Sequence, residues 1–577
     1  MGLNEKALTR NVRLVNYGSD VEEEINRLRD IIEENLEIVV KYDTRWLTLK
    51  LLEEDVVLHE KIGEMPGGEI VLDEVQNSID HLRDIYGDDV ETIIADRRYG
   101  WINGLVREVV TRTNPNRQPF SDKLDRILTS RILGIPIFLA MMWVVFKITT
   151  DLSAPMLEWV EDLIGGPISR WATGLVSLVG LSGTWFDSLL VDGILAGVGG
   201  VLVFIPVMAF LYIALAILED SGYMARAAFV MDRLMHSLGL HGKSFLPMIV
   251  GFGCTVPAIM ATRTLDNEKD RILTGLLVPF MSCGARLPVY VLLASIFFPQ
   301  NSGLIIFWLY ILGIVIAILV GLLLKNTLFK GKASSPFVLE LPPYRLPTLK
   351  GIWFHTWERT SAFVRKAWSI ILITSVIIWL LLAIPVSGGV FAQAPVEQSA
   401  FATVSRGISP IFQPLGFNDW KLSGPLITGF VAKEVVVSTM IQVHGLEEQA
   451  PMALASTFFE DLGEILVSFL GAVWDTIRSI PLIIGVDLLE GEEAAEPTEF
   501  TSAVETSFTD ASSGHVGLAS VAYMVFVLLY TPCMVAVAAE WKELGRNWTL
   551  LSVFGQFMIA WLVGFIIFQG GLLLGIG

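Results

Sequence analysis

The sequence predicts an all-α fold, a polytopic helical membrane protein with a small helical domain at its N-terminal end. Three observations predict it. Of 577 residues, 53% are hydrophobic, and the mean hydropathy of +0.58 is too high for a water-soluble chain of this length. From residue 132 onward, apolar runs long enough to cross a bilayer recur. Before that point apolar residues fall at helical spacing among charged ones, the pattern of helices with one buried stripe. A formal net charge of -19 with a pI near 4.9 excludes nucleic acid as a partner, because a phosphate backbone calls for clustered Lys and Arg.

The N-terminal stripe reads Val21, Ile25, Leu28 and Ile32, then Val71, Val75, Ile79 and Leu82, then Ile94, Ile102, Leu105 and Val109. Charged residues Glu5, Lys6, Arg10 and Arg13 open the chain with no short apolar core behind them, so no signal peptide is expected. The cluster Asn114-Pro-Asn-Arg-Gln-Pro119 ends the helical domain. Seven spans follow, at about 132–149, 190–218, 272–297, 303–324, 367–385, 515–539 and 550–575. The stretch 325–366 carries Lys325, Lys330, Lys332, Arg345, Lys350, Arg359, Arg365 and Lys366 and is assigned to the cytoplasm by the positive-inside rule; the basic Arg112–Arg131 region puts the helical domain on the same side.

Two shorter apolar segments, 245–262 and 422–443, are interrupted by Gly and Pro or by charge. They resemble each other. Pro247-Met-Ile-Val-Gly251-Phe252 matches Pro425-Leu-Ile-Thr-Gly429-Phe430, and Leu238-Gly239-Leu240 precedes the first as Leu415-Gly416-Phe417 precedes the second. The span count between basic loops closes only if each segment enters and leaves on one face, the first from the cytoplasm and the second from outside. That is an inverted repeat, and such repeats hold the substrate path between them at discontinuous helices. The connection 445–514 has an amphipathic stretch, Leu462–Ile484, and an acidic, Ser/Thr-rich part, and reads as a solvated or interfacial loop.

The chain has three cysteines, an odd count inside apolar stretches, so they read as free thiols. Each stands beside a helix breaker: Gly251-Phe-Gly253-Cys254-Thr-Val-Pro257, Pro279-Phe-Met-Ser-Cys283-Gly, and Pro532-Cys533. A lone membrane cysteine is usually a small hydrophobe; three at broken positions favour a functional role. Sulfur with a carboxylate suits a borderline metal such as Fe(II) without holding it too tightly. Glu434, in Phe430-Val-Ala-Lys433-Glu434, is the carboxylate nominated, since ionisable groups at membrane depth are expensive; the bland alternative is an ion pair between Lys433 and Glu434. Glu219 and Asp220 end an apolar segment on the cytoplasmic side and either receive an exiting cation or mark the membrane boundary. His236 and His241 lack ligand spacing, and Met224, Met231 and Met235 read as packing. No G-x-x-x-x-G-K-[ST] motif occurs; Gly239-Leu-His-Gly-Lys-Ser244 lacks the leading glycine, so no catalytic role and no bound nucleotide is expected.

These residues resemble the ferrous iron transport protein B (FeoB) permeases, from about residue 10 to the C-terminus. The likeness rests on Ala95-Asp-Arg-Arg-Tyr-Gly-Trp-Ile102, Ser121-Asp-Lys-Leu-Asp-Arg-Ile127, Glu219-Asp-Ser-Gly-Tyr-Met-Ala-Arg226, Gly251-Phe-Gly-Cys-Thr-Val-Pro257, Ser282-Cys-Gly-Ala-Arg-Leu-Pro-Val-Tyr290, Gly429-Phe-Val-Ala-Lys-Glu434 and Pro532-Cys533. The resemblance implies a cytosolic inhibitor-like helical domain (1–114), a linker (115–130), a membrane region with a first gate (131–330), a cytoplasmic loop (331–366) and a membrane region with a second gate (367–577). It implies Fe(II) as cargo, carried past Cys254, Cys283, Cys533 and Glu434 in a bacterial or archaeal cytoplasmic membrane. The expected partners are membrane lipid, a separate GTP-binding protein docking on the helical domain, and a small SH3-like accessory protein, with a homo-oligomer left open. A metal-binding sensor coupled to a G protein, or a transporter of another divalent cation, are the alternatives.

Overall fold

The computed structural model describes residues 15–109, 120–130, 132–265, 267–330, 341–386, 388–445, 458–484 and 499–575. They form two compact units, parted between residues 119 and 120.

The first unit packs six helices, Ser19–Glu33, Leu36–Val39, Thr44–Leu52, Val56–Gly63, Gly68–Tyr86 and Val90–Val109. Asp43 and Asp55 cap the third and fourth by accepting from the Trp46 and Leu58 N–H groups. Gly87, at φ +72°, ends the fifth in the left-handed conformation that a helix terminus favours and only glycine adopts freely. The predicted stripe is the core: Val21, Ile25, Leu28, Ile32, Val71, Val75, Ile79, Leu82 and Ile94 are buried. Its last members are not, for Ile102 and Val109 are exposed. A buried carboxylate, Glu24, ties the first helix to the fifth by accepting from Ser78 Oγ at 2.6 Å and meeting His81 Nδ1 at 2.8 Å.

The second unit is a bundle turned inside out relative to a soluble protein. Among the described residues, eight helical stretches are long and apolar enough to cross a membrane. Two of them form the centre: 72% of the apolar window in Val516–Glu543 and 67% of that in Glu268–Phe297 is buried, against 17% for Ser302–Thr327 and 22% for Arg546–Leu573. The outer helices turn Leu304, Phe307, Trp308, Phe554, Met558 and Ile566 outward, where lipid rather than water would meet them without cost.

Three stretches differ from their sequence-based reading. The stretch 458–482, read as part of a loop, is an eighth helix of spanning length. Its amphipathic pattern has a physical reason: Arg170 Nη2 and Trp171 Nε1 donate to Asp461 at 2.6 and 2.8 Å, and Trp159 Nε1 donates to Ser468 at 3.2 Å. Residues Phe120–Leu128, inside the expected linker, are helical. Asp125 there accepts from Arg226 Nε at 3.0 Å and from the Tyr344 hydroxyl at 2.8 Å, and the Arg226 guanidinium stacks 4.1 Å from the Tyr344 ring centroid. Burial pushes the Asp125 carboxyl up, but its bonds to Arg226 and Tyr344 outweigh that and hold it below the usual carboxylate range. Finally, the basic stretch ahead of the fifth predicted span is helical from Leu349 and runs unbroken to Ala383. At 1.5 Å per residue this 35-residue helix is about 52 Å long, well beyond a hydrocarbon core of about 30 Å, so its charged part extends past the apolar span.

Candidate functional site

The two repeat segments fold alike. The first is a nine-residue helix, Phe245–Gly253, and a seven-residue helix, Thr255–Ala261, joined by Cys254 alone. The second is a twelve-residue helix, Trp420–Val431, and a nine-residue helix, Val435–Val443, parted at Ala432. At 1.5 Å per residue none of these helices exceeds about 18 Å, too short for a bilayer core. In each segment the two helices pack on each other.

The likeness extends to backbone angles. Cys254 has φ -150° and ψ 130°, and Ala432 has φ -152° and ψ 126°. Upstream, Gly239 and Gly416 are both left-handed, at φ +73° and +85°. His241 then caps the first segment by accepting from the Lys243 N–H, as Asp419 caps the second by accepting from the Lys421 N–H. Pro257 sits in the first turn of its helix, where a missing N–H costs nothing. Gly251 lies against Met281 and Gly253 against Leu211. Gly429 has no room for a Cβ between Val436, on the partner helix, and the Tyr530 hydroxyl.

The central helices are broken too. Glu268–Leu277 gives way to a short turn and an extended run, Met281 to Cys283, before Leu287–Phe297 begins. Val516–Leu529 stops at Tyr530, and Cys533, extended at φ -168°, starts Met534–Glu543. Both interruptions free carbonyls at membrane depth, where they need donors. Arg286, fully buried, supplies them: Nη1 donates to Met281 O at 3.1 Å, and Nη2 to Pro279 O at 3.1 Å and Tyr530 O at 3.4 Å. One guanidinium thus pins the Cys283-bearing and Cys533-bearing breaks together.

All four nominated ligands stand where a helix begins. Cys254, Cys283, Cys533 and Glu434 each precede the first helical residue of a short segment, and Gly253 lies close to Gly284, next to Cys283. Cys254 is within coulombic reach of Cys283, Cys533 and Glu434, and Cys533 of Cys283, Glu434 and Lys433. The thiols are free. Among the described residues no three His, Cys, Asp or Glu side chains are grouped closely enough to hold a metal ion, so the four stand near one another without forming a metal-binding group.

Lys433 does not pair with Glu434. Its side chain is buried, its Nζ has no hydrogen-bond partner, and it lies 2.7 Å from the centroid of the Tyr530 ring. Its amino group thus rests on an aromatic face in place of a carboxylate. Tyr530 is itself fixed, its hydroxyl donating to Leu426 O at 3.3 Å.

Glu219 and Asp220 lie apart from this cluster, at the end of the Ala196–Asp220 helix. Glu219 pairs with Arg359 at 2.8 Å, both partly exposed, the arrangement of a boundary charge. The buried Tyr212, on the same helix, is in electrostatic reach of both Cys254 and Arg359. Arg286 was not singled out from the sequence, although a cation inside Ser282-Cys-Gly-Ala-Arg-Leu-Pro is the same costly signal that marked Glu434.

Comparison with known proteins accounts for both units. The family model described as FeoB cytosolic helical domain matches residues 17–111, that described as Nucleoside recognition (Gate) matches 201–297 and 364–547, and that of the Ferrous iron transport protein B C terminus matches 306–359. The Fe(2+) transporter FeoB of Staphylococcus aureus (strain MSSA476) is 36% identical over 96% of this chain and 74% of its own length. That of Salmonella typhi is 36% identical over 97% of this chain and 70% of its own. A Fe(2+) transport protein A/Fe(2+) transporter FeoB fusion protein of Porphyromonas gingivalis is 37% identical over 97% of this chain, which spans 64% of it. No solved structure matches. On these helical, gate and C-terminal matches, and on identity that runs nearly end to end, the chain belongs to the FeoB family.

Proposed function

We propose that this chain is the membrane permease part of a ferrous-iron importer and that Fe(II) passes along Cys254, Cys283, Cys533 and Glu434. The observation that carries this reading is that four residues, up to 279 positions apart in the chain, all stand where a short helix begins, with Cys254 and Cys533 each in electrostatic reach of the other three. Three sulfurs and one carboxylate suit Fe(II), which sits low in the affinity series and gains from soft donors.

The two broken segments act as gates entered from opposite faces of the cytoplasmic membrane, with the helical domain in the cytoplasm. The matched positions Lys243 and Lys421 make this testable: single cysteines there, in a Cys-free background, label from opposite sides, and labelling from one side refutes the inverted arrangement. GTP hydrolysis is supplied by a G domain outside these residues, docking on the helical domain; guanine-nucleotide binding by the 577-residue chain alone refutes that part. The deciding experiment is anaerobic Fe(II) uptake into vesicles containing the chain and its GTPase. Cys254→Ser, Cys283→Ser and Glu434→Gln lower uptake while membrane insertion persists, and normal uptake by all three means the metal travels elsewhere. Binding without uptake by the unaltered chain identifies a sensor instead, and equal uptake of Mn(II) or Zn(II) a broader transporter.

A further inference from the structure

A second polar cluster lies in the membrane region, and the metal path does not use it. Glu540, on the Met534–Glu543 helix, is 2% exposed, and so is Gln556 on the Arg546–Leu573 helix. Gln556 Nε2 donates to Ser552 Oγ at 2.6 Å, and Ser552 Oγ donates to Glu540 Oε1 at 3.1 Å. The chain of bonds leaves an acceptor bare at each end, Glu540 Oε2 and Gln556 Oε1. Thr549, Ser552 and Gln556 fall at helical spacing on one buried face, so the polar stripe is built into the span and is not an accident of its end.

No cation neutralises this carboxylate among the described residues. The Met534–Glu543 helix packs against Thr255–Ala261, Leu349–Ala383, Trp420–Val431 and Arg546–Leu573. The first has no charged residue, and Arg263 just beyond it is taken by Glu543. Lys350, Arg359 and Arg365 on the second, Lys421 on the third, Arg546 on the fourth and Lys542 on the home helix form no ion pair with Glu540, and neither His355 nor Glu358 bonds to it; its one side-chain partner is Ser552. A buried charge without a partner is too costly to persist and is neutralised by a bound ion or by a proton.

The donor set decides between these. A metal cation at membrane depth needs several oxygens, and in transporters unwound backbone supplies many of them. Here the Arg546–Leu573 helix is unbroken and its carbonyls are spent within it, leaving only two uncommitted side-chain oxygens, Glu540 Oε2 and Gln556 Oε1. A proton needs one. We propose that Glu540 is a proton-binding site, loaded at Oε2, whose proton is exchanged in step with cargo at the cysteine cluster. Loading forms one O–H bond and removes the carboxylate charge; release returns the proton to water. The linkage has a short physical route, since Glu540 lies seven residues from Cys533, two turns along one face of the same helix and about 10 Å away. That second half rests on the transport reading above.

The test uses the full chain in lipid vesicles and has two arms. Infrared spectra at neutral pH should show the carbonyl stretch of a protonated carboxylic acid that Glu540→Gln abolishes and that Ser552→Ala, which removes the bond to Oε1, shifts. If Glu540→Gln does not fold, the Ser552→Ala shift decides alone. A band that neither variant alters means Glu540 is ionised and overturns the proposal. In the second arm, Fe(II) uptake with the partner GTPase should change severalfold across neutral pH in the unaltered chain and lose that dependence in Glu540→Gln. An unchanged profile in the variant overturns the coupling. Absence of Fe(II) uptake by the unaltered chain overturns the transport reading and the coupling with it, while the infrared arm still decides the proton site.

Discussion

The two broken segments share a backbone and divide the chemistry. Both turn at a left-handed glycine, both are capped through a side chain by the N–H two residues on, and both interrupt their helices at one extended residue with nearly identical angles. Aligned on their Pro-x-x-x-Gly-Phe cores, the first puts Cys254 at that residue and the second puts Ala432 there, followed by Lys433 and Glu434 where the first has Thr255 and Val256. One copy contributes sulfur, the other a carboxyl group and an amine held on an aromatic face. The comparison teaches that the break is the conserved physical device and the side chains at it are the variable one.

Removing what holds the breaks in place should have the largest effect. Arg286→Met strips three buried carbonyls of a charged donor, a loss on the order of 3 kcal/mol; thermal unfolding in lipid discs should show it, with uptake abolished. A variant as stable as the parent would mean that the breaks hold themselves open. The glycines come next and should behave unequally. Gly429→Ala drives a methyl into Val436, which is stiff at χ1, and into a Tyr530 hydroxyl already committed to Leu426, costing about 2 kcal/mol as overpacking does. Gly253→Ala meets only the tip of Leu211, and unfolding midpoints should rank the two in that order.

The sharpest test of divided chemistry is smaller in energy. Cys254→Ser should lower Fe(II) uptake roughly tenfold, equivalent to about 1.4 kcal/mol, whereas Ala432→Ser at the matched position should leave it unchanged. Equal losses would mean that both residues serve the backbone alone. The smallest effect probes what the copies share. Asp419→Ala removes a cap worth about 1 kcal/mol, and Asp419→His, which transplants the first segment's cap into the second, should recover most of it in the same unfolding assay.

Much of this was legible in the sequence, and the exceptions have physical causes. Apolar length and helical spacing sufficed for the helical domain, most spans and the repeat, because burial and bilayer thickness impose them directly. Helix 458–482 escaped because its polar face is answered by Arg170 and Trp171, nearly 300 residues away. Ile102 and Val109 continue the stripe at the right period yet stay exposed, since periodicity says that a face is apolar and not what covers it. Lys433 and Glu434 invite pairing by adjacency, but consecutive residues at a helix start point in different directions, and the amino group finds Tyr530 instead. Arg286 and Glu540 carried the same cost signal as Glu434; what the sequence could not convey was that one would serve carbonyls from two separate breaks and the other would have no counter-charge.

The matched break also bears on redesign. The extended residue, the left-handed glycine and the cap recur in both segments while the reactive atoms do not. The interruption is therefore indifferent to the donor it carries, and the same backbone can seat sulfur in one half of a passage and oxygen in the other.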